Sequence, residues 1–165
     1  MSRMFTSQTE VLFPAEISYG TIDLSDKTVN DFAKWLEIQK LLEEDVSAES
    51  TTMNGWQYAF KPGDIQPSWH SNIVSQFNFQ EQLQSSWVVD YEIGGYQTPH
   101  IHRNSKSTLI VNIIGKGDLL LFDPYWNEYR RTLTPGDWIY IPGWLMHASQ
   151  PCEEKRSIFV IDYKK

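Results

Sequence analysis

One cysteine, Cys152, stands among 165 residues, so no internal disulfide can brace the fold. Long apolar runs are missing too. The longest, such as Leu109–Ile114, fall far short of the roughly 20 residues a membrane span needs. Met1 to Glu10 is polar and has no apolar signal core. Basic residues are scarce: 14 Lys and Arg against 21 Asp and Glu leave a net charge of −7, with no basic cluster beyond two or three residues. A footprint for a phosphate backbone is therefore absent. Neither nucleic acid nor a membrane is expected as a partner, and the expected location is the reducing cytoplasm. There is no internal repeat, no low-complexity tract, no Gly-x-Ser-x-Gly element and no paired carboxylate motif.

Aromatic residues, by contrast, are plentiful. Seven Trp, eight Tyr and eight Phe supply bulky core material and exclude a disordered chain. The length fits one domain, residues 1–165, with a helical part over about 24–84 and a barrel over about 87–165. Val11-Leu12-Phe13-Pro14 reads as a short strand stopped by proline. Ser25 or Asp26 caps a helix whose apolar positions are Val29, Phe32, Ala33 and Leu36. Glu43, Glu44 and Asp45 oppose the helix dipole at its end, and 46–54 reads as a loop. Gly55-Trp56-Gln57 starts an ordered segment. A second helix is expected from Pro67 to about Leu83 on Ile73, Val74, Phe77 and Leu83. After Ser86 the texture changes to short β-rich runs between turn residues: Trp87–Ile93, Thr108–Ile114, Leu119–Phe122, Trp138–Ile141 and Ser157–Tyr163. Such spacing predicts an all-β sandwich or barrel, with the two helices packed on it.

The chain has four histidines, and three lie in this β-rich half. His100 and His102 form a His-x-His pair, and on an extended strand such a pair shares one face. His147 follows Pro142-Gly143. Thr134-Pro135-Gly136-Asp137 reads as a type II turn, with glycine at the position that needs positive φ. It feeds the run Trp138–Ile141. This punctuation places the three histidines at strand ends around one mouth, where they are candidate ligands of a divalent metal. His70 has no partner at ligand spacing and reads as structural or pocket-lining.

From Trp87 onward the chain resembles the iron(II)/2-oxoglutarate-dependent oxygenases, in particular a group of short oxygenases of bacteria and phages. The stretches that carry the likeness are Ser86-Trp87, Gly95-Tyr96-Gln97-Thr98-Pro99-His100-Ile101-His102 and Leu120-Leu121-Phe122-Asp123-Pro124. Further ones are Pro135-Gly136-Asp137-Trp138, Ile141-Pro142-Gly143-Trp144-Leu145-Met146-His147 and Arg156-Ser157-Ile158. Leu12-Phe13-Pro14 and Asn54-Gly55-Trp56-Gln57 also match. The resemblance implies a mainly β fold with N-terminal helices, a double-stranded β-helix (jelly roll, cupin-like). It implies Fe(II) on His100, His102 and His147, with 2-oxoglutarate as cosubstrate. Arg156 would grip the far carboxylate, and Tyr91 would contact the same cosubstrate. A guanidinium fork suits that task, because it binds a carboxylate bidentately and keeps its charge. A small-molecule or protein substrate is expected, with a homodimer as a candidate assembly.

One departure stands out. His102 occupies the place where the resemblance implies an aspartate or glutamate, so the site lacks one negative charge. Three histidines also resemble the first motif of cupins, whose additional glutamate would fall near Lys106 or Ser107, neither of which can replace it; Glu92 is a candidate stand-in carboxylate that nothing in the sequence places. Three readings follow: an oxygenase, a cupin-type three-His metalloenzyme without 2-oxoglutarate, and a non-catalytic barrel. Elsewhere, Tyr129-Arg130-Arg131 reads as the solvated end of a hairpin rather than an anion contact. Gly115-Lys116-Gly117 reads as a hairpin turn rather than a phosphate loop. Trp144 and Met146 either line the pocket or simply pack, and Cys152 lacks a base that would make it a nucleophile.

Overall fold

The computed structural model describes residues 5–12, 15–42 and 51–164. Phe13, Pro14, Glu43, Glu44, Asp45 and the first part of the 46–54 loop lie outside the described residues. The elements in chain order are β1 (Thr6–Leu12), β2 (Ala15–Thr21), α1 (Asp26–Leu42), β3 (Thr52–Ala59), α2 (Ser68–Val74) and β4 (Leu83–His100). Then come β5 (Ser105–Ile114), β6 (Gly117–Phe122), β7 (Glu128–Leu133), β8 (Asp137–Pro142), β9 (Met146–Ser149) and β10 (Arg156–Lys164).

All the pairings are antiparallel, in the order β1-β2-β8-β5-β10-β4-β9-β6-β7, with β3 on β4. The long strand β4 makes this ribbon into a barrel. Its first half, Leu83 to Tyr91, pairs with β10, and its end, Gln97 and His100, pairs with β9. One layer is thus β8, β5, β10 and the start of β4; the other is the end of β4, β9, β6 and β7. The expected double-stranded β-helix is the observed fold. Val89, Tyr91, Ile110, Ile139, Ile158 and Val160 from the first layer meet Leu119, Leu121 and Leu133 from the second in the barrel core.

The first layer is covered on its other face as well. Phe32 and Leu36 of α1, and Trp69 and Ile73 of α2, pack on Leu109, Val111, Phe159 and Ile161. Trp69 stands edge-on to both Phe32 (5.0 Å) and Phe159 (5.1 Å). Burial on both faces explains why Ser157–Tyr163 and Thr108–Ile114 read as nearly continuous apolar runs. Each fully buried large side chain contributes about 1.5–3 kcal/mol here. Of the two expected caps, it is Ser25 whose Oγ accepts the Thr28 N–H of α1 (3.2 Å).

Several sequence expectations need correction. The second helix ends at Val74, not near Leu83. The Gln76 amide donates to the Asn72 carbonyl and exchanges hydrogen bonds with the Asp23 backbone, closing the helix. Phe77 and Phe79 then pack on Trp138 (5.4 Å) and Tyr140 (4.3 Å), so the sheet's outer face claims residues whose spacing looked helical. The N-terminal part is also not simply helical: β2 extends the sheet through β8, and β3 pairs with β4. Strands β5 and β6 do not pair with each other, so Gly115-Lys116 is a crossing between layers and not a hairpin turn. Tyr129-Arg130-Arg131 lies near the turn end of the β6–β7 hairpin, as expected, within strand β7. The turn at Thr134–Asp137 is as expected: Asp137 N–H donates to Thr134 O (2.9 Å), and Gly136 has φ +89°. Among the described residues no helix is long and apolar enough to cross a membrane.

Candidate metal centre

The barrel's topology brings the three histidines together. His100 closes β4 and is the register partner of His147 on β9, which in turn pairs with Leu121 of β6. His102 lies just beyond β4; its N–H donates to Gly143 O (2.8 Å), and its carbonyl accepts from Ser105 N–H (3.0 Å). One ligand nitrogen from each ring lies within 4.8 Å of the others. Among the described residues this is the group of three or more metal-ligating side chains that forms.

The second nitrogen of each ring is occupied. His100 Nδ1 donates to Thr98 O (2.7 Å), and His147 Nδ1 to Leu145 O (2.9 Å). A carbonyl only accepts, so the proton sits on Nδ1 and leaves the Nε2 lone pair for a metal. His102 Nδ1 meets the Asp162 carboxylate at 2.7 Å, with Thr108 Oγ1 at 2.9 Å. Burial pushes the pKa of His147 well below the ordinary imidazole value, with His100 and His102 adding to this effect; burial also lowers that of His100. Both are therefore neutral near pH 7, the form that binds metal. The donors fit a borderline cation: three imidazoles suit iron, zinc or copper, and three protein ligands leave coordination positions open for chemistry. A cleft of about 330 Å³ opens beside them, lined by Gln57, Gln84, Trp87, Gln97, His100 and His102 among others.

Arg156 and Tyr91 come together elsewhere in the barrel. They are register partners across β10 and β4. Arg156 is 1 % exposed, and its Nε donates to Asn112 Oδ1 (2.7 Å). It lies beneath Gly117, where a Cβ would come within 2.7 Å of the Arg156 Cδ and Nη1. Among the described residues no carboxylate forms an ion pair with it, and Asp118 acts on it only through space. The Tyr91 hydroxyl is buried and makes no close hydrogen bond, with Ser149 its neighbouring polar group. Burial pushes its pKa up to about 12 against the opposing pull of Arg156 and Ser149, so the phenol is protonated. Arg156 is six positions along β10 from Asp162, about 20 Å of strand. Ile158 and Val160 point into the core between them.

The remaining candidates have other tasks. Glu92 pairs with Lys155 (3.0 Å) and Lys40 (3.7 Å), away from the histidines. Lys106 pairs with Glu81 (3.1 Å), and Ser107 Oγ bonds Tyr140. No carboxylate thus joins the histidines as a further ligand among the described residues. His70 belongs to the outer core, its ring 4.9 Å from Phe159. Arg131 stacks on Tyr19 (3.4 Å) in the second layer's edge strand. Trp144 is more than half exposed, and Cys152 Sγ donates to Glu92 O (3.1 Å). Asp162, Thr108 and Asn112 were not foreseen. The available signal was polarity inside apolar runs: Asp162 within Ser157–Tyr163, and Asn112 within Thr108–Ile114.

Residues 68–163 match the family model described as Cupin, and the chain belongs to that family. Among solved structures it is similar to a Pseudomonas putida prolyl-4-hydroxylase: 14 % identity, TM-score 0.65, covering 98 % of this chain and 94 % of that one. It is also similar to the oxalate decarboxylase of Bacillus subtilis at pH 4.6: 20 % identity, TM-score 0.53, covering 75 % of this chain but only 28 % of that one. At these identities the likeness is one of fold. No curated protein matches the chain.

Proposed function

We propose that this cupin is an oxygenase dependent on iron(II) and 2-oxoglutarate. The observation that carries this reading is the pair at the inner end of the barrel. Arg156 is buried with no carboxylate in ion-pair contact, Asp118 acting on it only through space, and the buried Tyr91 hydroxyl makes no close hydrogen bond. A buried guanidinium without an ion-pair partner is costly, and a guest anion would offset that cost. In this reading the keto-acid end of a dicarboxylate would meet the metal held by His100, His102 and His147. Its far carboxylate would turn toward the Arg156 fork and the Tyr91 phenol, which requires the core side chains between them, Ile158 and Val160, to make room. Ile158, Val160 and Leu121 are core residues of the same barrel and keep water out of it. Bound iron would supply oxygen activation, with 2-oxoglutarate oxidised to succinate and CO2 as a substrate C–H bond is hydroxylated. The substrate, a small molecule or a protein, would enter at the cleft beside the histidines.

A second reading has its own observation. His102 stands where a carboxylate would complete the usual oxygenase set, which favours a three-His cupin metalloenzyme that uses no 2-oxoglutarate. Arg156 would then hold a carboxylate of the substrate itself. Elemental analysis followed by calorimetry separates the two. The oxygenase requires about one metal per chain, 2-oxoglutarate binding that Arg156→Ala abolishes, and succinate release that His147→Ala abolishes. Stoichiometric metal without 2-oxoglutarate binding would leave the second reading standing. A barrel with no stoichiometric metal would be a non-catalytic module.

A further inference from the structure

We infer that Asp162 is a positioning residue that brings to the metal, through His102, the negative charge that a third imidazole lacks. This rests on the metal site proposed above.

Three donors converge on the Asp162 carboxylate: His102 Nδ1 (2.7 Å), Ser105 Oγ (2.7 Å) and Thr108 Oγ1 (2.6 Å). The residue is 7 % exposed and directly follows the apolar run Ile158–Ile161 of its strand. A buried carboxylate is costly unless a cation balances it. Asp90 is equally buried, and there the cation is plain: Lys40 Nζ lies 2.5 Å away. Asp162 has no lysine or arginine; among the described residues its ion-pair partner is His102. A metal ion held on the far nitrogen of that imidazole would balance the carboxylate through the ring. The arrangement is a carboxylate–histidine–metal chain, in which the outer carboxylate fixes the tautomer, orients the ring and makes its Nε2 a stronger donor. The other two histidines donate to backbone carbonyls, so His102 alone of the three carries this charge.

The test is Co(II) affinity of the full chain, read from the visible absorption of the bound ion under chelator competition. Asp162→Asn keeps the shape but removes the charge and should weaken Co(II) by about 10- to 100-fold. Asp162→Glu restores the charge and should bind more tightly than Asp162→Asn. Thr108→Val keeps the charge and should stay within about threefold of the parent; it serves where Asp162→Asn folds poorly. A structural role would instead lower the melting temperature of Asp162→Asn and leave its Co(II) affinity unchanged. An Asp162→Asn protein that binds like the parent overturns the inference, as does Asp162→Glu binding no better than Asp162→Asn, or a tenfold or greater loss in Thr108→Val. Absence of Co(II) binding in the parent overturns the metal site itself.

Discussion

The Arg156 guanidinium carbon lies 5.9 Å from the centroid of the Tyr91 ring, and the two residues are register partners across β10 and β4. Six positions along the same strand, Asp162 reaches His102. The barrel interior thus holds two buried charges, one positive and one negative. Among the described residues neither forms an ion pair with an oppositely charged Lys, Arg, Asp or Glu, Asp118 acting on Arg156 only through space. Placed about 20 Å apart along the strand, they are too distant to compensate each other strongly. In the function proposed above, an anion would meet the first and a cation the second.

Arg156→Met separates these roles. It removes a buried charge at similar volume, which is often neutral or stabilising. The opposing loss is the donor to Asn112 Oδ1, about 1–3 kcal/mol if left unsatisfied. The metal-free variant should therefore lie within about 1 kcal/mol of the parent in urea denaturation, since the two effects offset. Its affinity for 2-oxoglutarate in the metal-loaded form should fall more than about 100-fold. A loss of several kcal/mol in stability would make Arg156 a structural residue.

Gly117 offers an independent handle on the same guanidinium. Because a Cβ there would meet Arg156 Cδ and Nη1 at 2.7 Å, Gly117→Ala must push the arginine aside. Displacement by a few tenths of an ångström spoils a bidentate contact while leaving the histidines untouched. The expected outcome is roughly tenfold weaker 2-oxoglutarate binding, or about 1.4 kcal/mol, with Co(II) affinity unchanged. Equal loss of both would show that the barrel as a whole had shifted.

Metal binding should be readable as stability. An ion that binds only the folded chain adds about 2.7 kcal/mol at a hundred times its dissociation constant. Melting with Co(II) and with a chelator should differ accordingly in the parent. The difference should vanish in His100→Ala and His147→Ala, whose Nε2 positions are left without a substitute ligand. A metal-dependent rise that persists in either variant would place the ion elsewhere.

Much of this site was legible before the fold was known, and the reason is local geometry. His100 and His102 converge because alternate residues of an extended chain share a face. The Thr134–Asp137 turn declares itself through Pro135 and Gly136. Asp162 was hidden because its partner is 60 residues away, and only register brings them together. Strands β2 and β3 were hidden for a different reason. They are rich in Ser, Thr, Gln and Tyr and only partly buried, so they lack the clean alternation of a half-buried strand. The helix expected through Phe77 failed because helical spacing does not reveal which surface will claim an aromatic ring; Trp138 and Tyr140 claimed two.

His70 ties the outer core to pH. Its ring packs against Phe60 (5.1 Å) and Phe159 (4.9 Å), and its polar contact is Ser86 Oγ at 3.4 Å from Nε2. Burial pulls its pKa down from 6.5 to about 4. Between those values the unfolded chain binds a proton that the folded chain refuses, so stability rises with pH across the window. The contribution is fully present above pH 6.5 and is lost as pH falls through about 4, a span worth roughly 3 kcal/mol. His70→Gln removes the titrating group. Urea denaturation of the chelator-treated proteins at pH 7 and pH 4.5 should show a drop in the parent that exceeds the drop in His70→Gln by about 2–3 kcal/mol. Parallel pH dependence in the two proteins would mean that His70 takes up its proton without leaving the core.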